Sequence, residues 1–201
     1  MKKNLLISVW MTIATTVLLG IIYPLVVTGL AQVLFKDKAN GQLIVQNGKV
    51  VGSRIIGQTF IGPAYFHSRP SSAGNGYDAA NSSASNLGPT NQHLIDRVKG
   101  DVAANQLDHP QQAVPVDLVT TSGSGLDPHI SPAAAEFQIE RVARARGVRV
   151  EDLQRLVLEH TEGRQLGFLG EARVNVLELN LELDQRFPLR TQAEVESATF
   201  R

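Results

Sequence analysis

The chain has 201 residues, 43% of them apolar, with nineteen basic and nineteen acidic side chains; this suits one domain with an appendage and excludes disorder throughout. Without Lys2 and Lys3 the remainder carries seventeen basic against nineteen acidic groups, the wrong sign for a nucleic-acid partner. No cysteine is present, which excludes disulfides, thiolate catalysis and cysteine-ligated metals.

From Asn4 to Phe35 no residue is charged. A helix rising ~1.5 Å per residue crosses a ~30 Å hydrocarbon core in ~20 residues, so residues 1–36 are expected to form a single transmembrane anchor. The competing reading is a cleaved signal peptide, because Gly29-Leu30-Ala31 imitates a small-x-small cleavage site, but signal cores run only ~7 to 15 apolar residues. Lys2 and Lys3 precede the span and Lys36 and Lys38 follow it, so the N-terminal amine tips the balance toward an inside N-terminus. Residues 37–201 are then expected to form one soluble extracytoplasmic α+β domain. Within the span Ser8, Thr12, Thr16 and Gly20 recur at every fourth position, and the row continues through Pro24, Thr28 and Gln32. Small or hydroxyl residues at this spacing let a partner helix approach, while the alternative is that the hydroxyls bond back to their own helix. The row drifts by ~40° per step, so its first four members are the expected partner-helix face. Pro24 is expected to kink the helix or end its regular part.

After the anchor, "QLIVQNGKVVGS" places Asn47-Gly48 between two apolar runs and predicts a hairpin with a type I′ turn. The stretch "GQTFIGPAYFHSRPSSAGNGYDAANSSASNLGPTNQ" is rich in Gly, Ser, Asn and Pro, yet it holds Phe60, Tyr65, Phe66 and Tyr77, so it is read as ordered rather than as a linker. Leu94, Ile95, Val98 and Val102 predict a helix capped by Thr90 or Asn91. A strand is expected around Val116 to Thr120, running into a Gly/Ser/Pro loop. Ser131, Pro132, "AAAEFQIERVARAR" and Gly147 spell a complete helix with both ends marked. Leu153, Leu156, Val157 and His160 suggest another. Residues 174–184 stay open between two readings: "VLELNLELD" alternates like a strand, while Asn175 and Glu178 have capping-box spacing.

Chemistry-bearing motifs are scarce. There is no Walker loop, GxGxxG, GxSxG or HExxH, and the five histidines at 67, 93, 109, 129 and 160 lie far apart in sequence. Asp127-Pro128-His129 beside "TSGSG" is read as a turn capped by Asp127. A second function class, a membrane-anchored extracytoplasmic hydrolase, would use Ser122 or Ser124 with His129 and Asp127, but no oxyanion hole is evident. His67 and Arg69 flank Ser68 as an anion site or, as the commoner alternative, as pins for the loop.

Four blocks, "IIGQTFIGPAYFHSRPSS", "YDAANSSASNLGPTN", "VTTSGSGLDPHISPAAAEFQIERVARARG" and "HTEGRQLGFLGEARVNVLELNLELD", with the single anchor, resemble the C subunit family of the Kdp potassium-transporting P-type ATPases. One departure is Ser83-Ala84, where that family usually has paired glycines. The resemblance implies a non-catalytic subunit of an ATP-driven, high-affinity potassium uptake complex in the bacterial cytoplasmic (inner) membrane. It implies a channel-like partner that holds potassium and a P-type partner that hydrolyses ATP, with membrane lipid around the anchor and no tightly bound cofactor. This chain has no Asp-Lys-Thr-Gly motif, and one helix cannot enclose a pore. The family role is assembly and stabilisation, with a proposed catalytic-chaperone effect that raises the pump's ATP affinity. That effect would point to Gln58, because Ile55-Ile56-Gly57-Gln58 resembles a short piece of the ABC-transporter signature. The preferred reading of Gln58 is structural, since an N-inside anchor puts it across the membrane from cytoplasmic ATP. Tyr65, Phe66, His67, Arg69, Tyr77, Asp78 and Asn86 are the expected structural residues of a self-bonded loop that offers a docking surface to the channel-like partner.

Overall fold

A computed structural model describes residues 1–189; the end of the expected soluble domain, 190–201, lies outside the described residues. The chain is α+β and divides into two compact units, Met1–Ser53 and a second that begins at Arg54.

The first unit opens with a helical run from Lys2 to Leu34 whose apolar side chains are exposed, as a lipid-facing segment requires. α1 (Lys2–Thr15) passes into a π-helical stretch (Thr16–Ile22) and then α2 (Tyr23–Leu34). The irregular stretch lies just before Pro24, whose missing N–H removes one rung of the helical ladder. The Ser8 hydroxyl donates to Leu5 O at 2.8 Å and Thr12 donates to Ser8 O at 2.9 Å, so these two bond back to their own helix. A short α3 (Lys36–Ala39) leads to the hairpin of β1 (Leu43–Gln46) and β2 (Lys49–Ser53), with Val45 opposite Val50 and a bulge at Ile44/Val45. Asn47 and Gly48 take φ of 51° and 75°, the left-handed pair a type I′ turn needs.

In the second unit, α4 (Gln92–Gln106) starts at Asn91, whose side chain accepts from the His93 amide at 2.9 Å. The expected strand at Val116 to Thr120 is instead a 3-10 turn over Val116–Leu118. Pro115 O accepts from Leu118 N at 3.0 Å, and Thr120 Oγ1 donates to Val116 O at 2.7 Å. Asp117 Oδ2 accepts from Ser131 N at 2.9 Å, so local bonds replace the β-branched preference for a ladder. A small antiparallel sheet has the order β3 (His129–Ile130), β5 (Arg173–Asn175), β4 (Thr161–Glu162). α5 (Pro132–Arg146) carries the expected Ser131 cap and stops at Gly147 in the left-handed region. α6 (Val150–Glu159) buries Leu153, Leu156 and Val157.

The element left open resolves as the capped helix over the whole of "VLELNLELD", and only Val174 and Asn175 before it belong to β5. The strand ends at Asn175, whose side chain accepts from Glu178 N at 3.2 Å and starts α7 (Val176–Arg186). α7 buries Val176, Leu177, Leu179 and Leu183, a helical stripe that overrides the strict alternation. The core gathers Phe66, Ile130, Val142, Leu156, Val174 and Leu179. Phe66, a residue of the loop, is fully buried in it.

Candidate docking surface and the side chains that shape it

The stretch from Gly57 lacks strands among its described residues, so its backbone polar groups need partners from elsewhere. Two buried side-chain amides supply them where the chain is deepest. Asn180 Oδ1 accepts from Phe66 N at 2.9 Å while Asn180 Nδ2 donates to Phe66 O at 2.9 Å, a reciprocal pair like a single rung of β-ladder. Gln138 does the same for His67, accepting from its amide at 2.7 Å and donating to its carbonyl at 3.1 Å. Two arginines satisfy the carbonyls just before. Arg141 Nη1 donates to Pro63 O at 2.8 Å and Tyr65 O at 3.0 Å. Arg146, with a fully buried side chain, donates to Ala64 O, Phe187 O and Asp184 Oδ1, each at 2.7 Å, and its guanidinium lies 4.8 Å from the Tyr65 ring centroid. Tyr65 in turn donates to Asp184 Oδ2 at 3.2 Å.

Sequence reasoning missed Gln138, Arg141, Arg146 and Asn180. The signal was there: Gln138 and Arg146 fall among Ala135, Ile139 and Val142 on the buried stripe of α5, and Asn180 falls between Val176 and Leu183 on that of α7. A polar residue in an apolar stripe needs a buried partner.

The rest of the stretch leans on the "TSGSG" loop. Gly57 N donates to Leu126 O at 2.8 Å, Ser71 Oγ donates to Gly125 O at 2.6 Å, and Ser83 N and Ser82 Oγ donate to Ser124 O at 3.0 and 2.9 Å. The contact at Gly57 tolerates no side chain, because a Cβ there would lie 2.5 Å from Tyr77 Cε1 and 2.7 Å from Asp127 O. Tyr77, at φ 55°, donates its hydroxyl to Arg69 O at 2.7 Å and its amide to Ser71 Oγ at 2.8 Å. Asp78 caps a short 3-10 turn, accepting from Ala80 N at 2.9 Å and Asn81 Nδ2 at 2.6 Å. Asn86 is exposed with φ 51°. Gln58 is half-buried beside a cavity of about 290 Å³ lined also by His67, Arg69, Ser71 and Tyr77, and its carbonyl accepts from Ser68 Oγ at 3.4 Å.

Arg69 donates through Nε and Nη2 to Thr120 O and Oγ1, at 3.2 and 3.1 Å, and its Nη1 lies 3.5 Å from Asp127 Oδ2 and 3.8 Å from Asp117 Oδ1. Asp127 Oδ1 also accepts from the His129 amide at 3.0 Å and faces His129 Nδ1 at 3.4 Å. Burial alone would raise the Asp127 carboxyl, but its bonds to His129 and the charge of Arg69 outweigh that and hold it below the usual carboxylate range. Asp127 and His129 do meet, and the Ser124 hydroxyl accepts from the Leu126 amide at 3.1 Å. Among the described residues no cluster of three His, Cys, Asp or Glu side chains could hold a metal ion.

His67 is half-buried in the loop. Burial, and then the nearby Arg141 charge, lower its pKa below 6.5, so the neutral ring donates Nε2–H to Gly62 O at 2.8 Å. The unfolded chain then binds more protons than the folded one between the depressed pKa and 6.5. Stability is therefore full above ~6.5 and falls as pH drops through the folded pKa. Thermal unfolding of the full chain in detergent is expected to begin at lower temperature at about pH 5.5 than at about pH 7.5, and His67→Gln should shrink that difference. An undiminished difference in the variant would place the pH sensitivity elsewhere.

A second exposed feature also escaped sequence reasoning. The β4–β5 connection closes on itself, with Gln165 N donating to Leu169 O and Leu169 N to Gln165 O, both at 2.9 Å. Its tip holds Leu166 at φ 52°, 82% exposed, and Phe168, 69% exposed. Large apolar side chains on a closed, strained turn suit a contact surface better than a loop in water.

Comparison with known proteins agrees with the resemblance in the blocks. Residues 5–185 match the family described as K+-transporting ATPase, c chain. The potassium-transporting ATPase KdpC subunit of Koribacter versatilis is 68% identical over 191 residues, 95% of this chain and 99% of that protein. Those of Rhodospirillum rubrum and Mycobacterium tuberculosis are 60% and 53% identical over 178 and 188 residues, covering 88% and 92% of this chain and 92% and 100% of theirs. The match runs from the apolar helix through α7, so the chain belongs to the KdpC family, the c chain of the potassium-transporting ATPases.

Proposed function

We propose that the chain acts as a non-catalytic assembly subunit, which joins a channel-like potassium-binding subunit to the P-type subunit that hydrolyses ATP. The observation that supports this best is how the polar side chains are engaged: Gln138, Arg141, Arg146, Asn180 and Arg69 bond to the chain's own backbone, shaping a rigid surface. The loop around Tyr65 to Asn86 and the tip at Leu166 and Phe168 serve as its docking surface outside the membrane, and Ser8, Thr12, Thr16 and Gly20 form the partner-helix face within it. The anchor sits in the bacterial inner membrane with its N-terminus inside, and the bulk of the chain is extracytoplasmic.

Replacing Thr12, Thr16 and Gly20 by Leu keeps the span apolar but fills the groove a partner would use. Membrane insertion should persist while recovery of the partner subunits with the tagged chain falls by roughly tenfold, the ~1.4 kcal/mol that a few lost helix contacts represent. Undiminished recovery would move the contacts to the domain outside the membrane, where Phe168→Ser is the corresponding test.

Gln58 serves the loop rather than a nucleotide in this reading. Gln58→Ala should leave the apparent ATP affinity of the assembled pump within about twofold, while the full chain melts several degrees lower, as the loss of ~1–3 kcal/mol implies. An unchanged melting temperature with weakened ATP use would favour the catalytic-chaperone role, as would cytoplasmic activity of a C-terminal reporter.

A further inference from the structure

The helical run from Lys2 to Leu34 is too long for a bilayer. Its 33 residues rise about 50 Å at ~1.5 Å each, against a hydrocarbon core of ~30 Å. Tilt does not absorb the excess, because the largest usual tilt of ~40° lengthens the path only to about 39 Å. Lys3 to Tyr23, by contrast, rises about 30 Å, from a snorkelling cation to an aromatic suited to the interface. α2 begins at that level, preceded by the π-helical stretch and carrying Pro24 in its first turn.

α2 also differs in character from the span before it. At ~100° per residue, Tyr23, Val26, Val27, Leu30, Val33 and Leu34 share an arc of about 120°. Pro24, Leu25, Thr28, Ala31 and Gln32 occupy the other side, where Leu25 is the one large apolar side chain, and Gln32 pairs with Asn40, its Nε2 donating to Asn40 Oδ1 at 3.2 Å. Lys36 and Lys38 follow at once, and α3 carries only Asp37 against them.

We infer that α2 is an interfacial helix: the chain crosses the bilayer from Lys3 to Tyr23, bends at Pro24, and lays α2 along the membrane surface. The bilayer is the occupant of its apolar arc, with Lys36 and Lys38 on anionic headgroups. This placement brings both lysine pairs to headgroup level, which a straight helix would not; it would carry Lys36 and Lys38 about 20 Å or more into water behind an uncovered apolar helix. The bend uses the one rung that Pro24 has already removed. The inference rests on the membrane-anchor reading.

The natural chain has no cysteine, so single-cysteine spin labelling needs no background substitutions. Labels at Val26→Cys, Leu30→Cys and Val33→Cys, and at Thr28→Cys and Gln32→Cys, are read in the full chain reconstituted into phosphatidylethanolamine vesicles with phosphatidylglycerol. The expected result is a helical oscillation about one constant depth: positions 26, 30 and 33 collide mainly with oxygen, and 28 and 32 with a water-soluble nickel reagent. A steady change of depth from 26 to 33 would make α2 a continuation of the crossing and overturn the inference. Nickel access at every position would also overturn it, leaving α2 for a protein partner. Val17→Cys is the internal reference, and nickel access there would overturn the anchor itself along with the interfacial helix. Replacing Lys36 and Lys38 by Gln, or phosphatidylglycerol by phosphatidylcholine, should reduce the oscillation, and no change under either would remove the headgroup part of the inference.

Discussion

Asn180→Leu is expected to lower the melting temperature of the full chain in detergent by roughly 5–15 °C, the fall that about 2–5 kcal/mol produces at this size. Leu keeps the branched skeleton of four side-chain heavy atoms, with two slightly bulkier methyls where the amide oxygen and nitrogen were. What it removes is the partner of both Phe66 N–H and Phe66 O, at a residue that is fully buried. Water cannot reach these groups in place of the amide, and each unpaired one costs about 1–3 kcal/mol. Asn180→Asp keeps an acceptor for Phe66 N–H but points an anion at Phe66 O, so it should not rescue. The exposed Arg186–Glu182 pair on the same helix gives the contrast, since Glu182→Gln should change stability by under about 0.5 kcal/mol. Equal melting temperatures for the Asn180→Leu variant and the parent chain would mean that the amide does not hold the loop.

The second large effect is expected at Arg146. Arg146→Met leaves Ala64 O and Phe187 O without their donor and removes the cation over the Tyr65 ring. Taking the charge out also removes its desolvation cost, and Asp184 is exposed enough to be hydrated, so the loss is less than the sum of three charged hydrogen bonds. A net loss of about 2–4 kcal/mol is expected, read as a fall of roughly 5–15 °C. Arg146→Lys should recover little, because one ammonium cannot reach three acceptors that the planar fork meets at once. Full recovery by Lys would reduce the site to a point charge. Hydrogen exchange adds a local readout, since the Phe66 and His67 amides should lose protection in the Asn180→Leu variant and less so in Arg146→Met.

Local chemistry is what the sequence made legible. The Ser131 cap, Pro132 and Gly147 bound α5, Asn47-Gly48 turns the hairpin, and the uncharged run from Asn4 is helical as far as Leu34. Each of these depends on neighbours a few residues apart. Val116 to Thr120 misled because its apolar, β-branched content speaks for a strand, whereas Asp117 is drawn to the Ser131 amide fourteen positions away. The loop's own residues looked polar enough to bond among themselves. Its deepest part is held instead by Gln138, Arg141, Arg146 and Asn180, more than seventy positions downstream, and no local pattern joins them to Phe66 or His67. The tip at Leu166 and Phe168 was visible only as part of a recognisable block, because exposure is a property of the fold.

The central claim, that this chain is an accessory subunit working through contacts rather than chemistry, is tested most directly by purifying the tagged full chain from its native membrane in mild detergent. The account predicts recovery with a channel-like membrane protein and an ATPase whose activity responds to potassium, while the chain alone turns over neither ATP nor ester and amide probes. A chain that comes alone and hydrolyses such probes, or a potassium-responsive ATPase that assembles fully without it, would contradict the account.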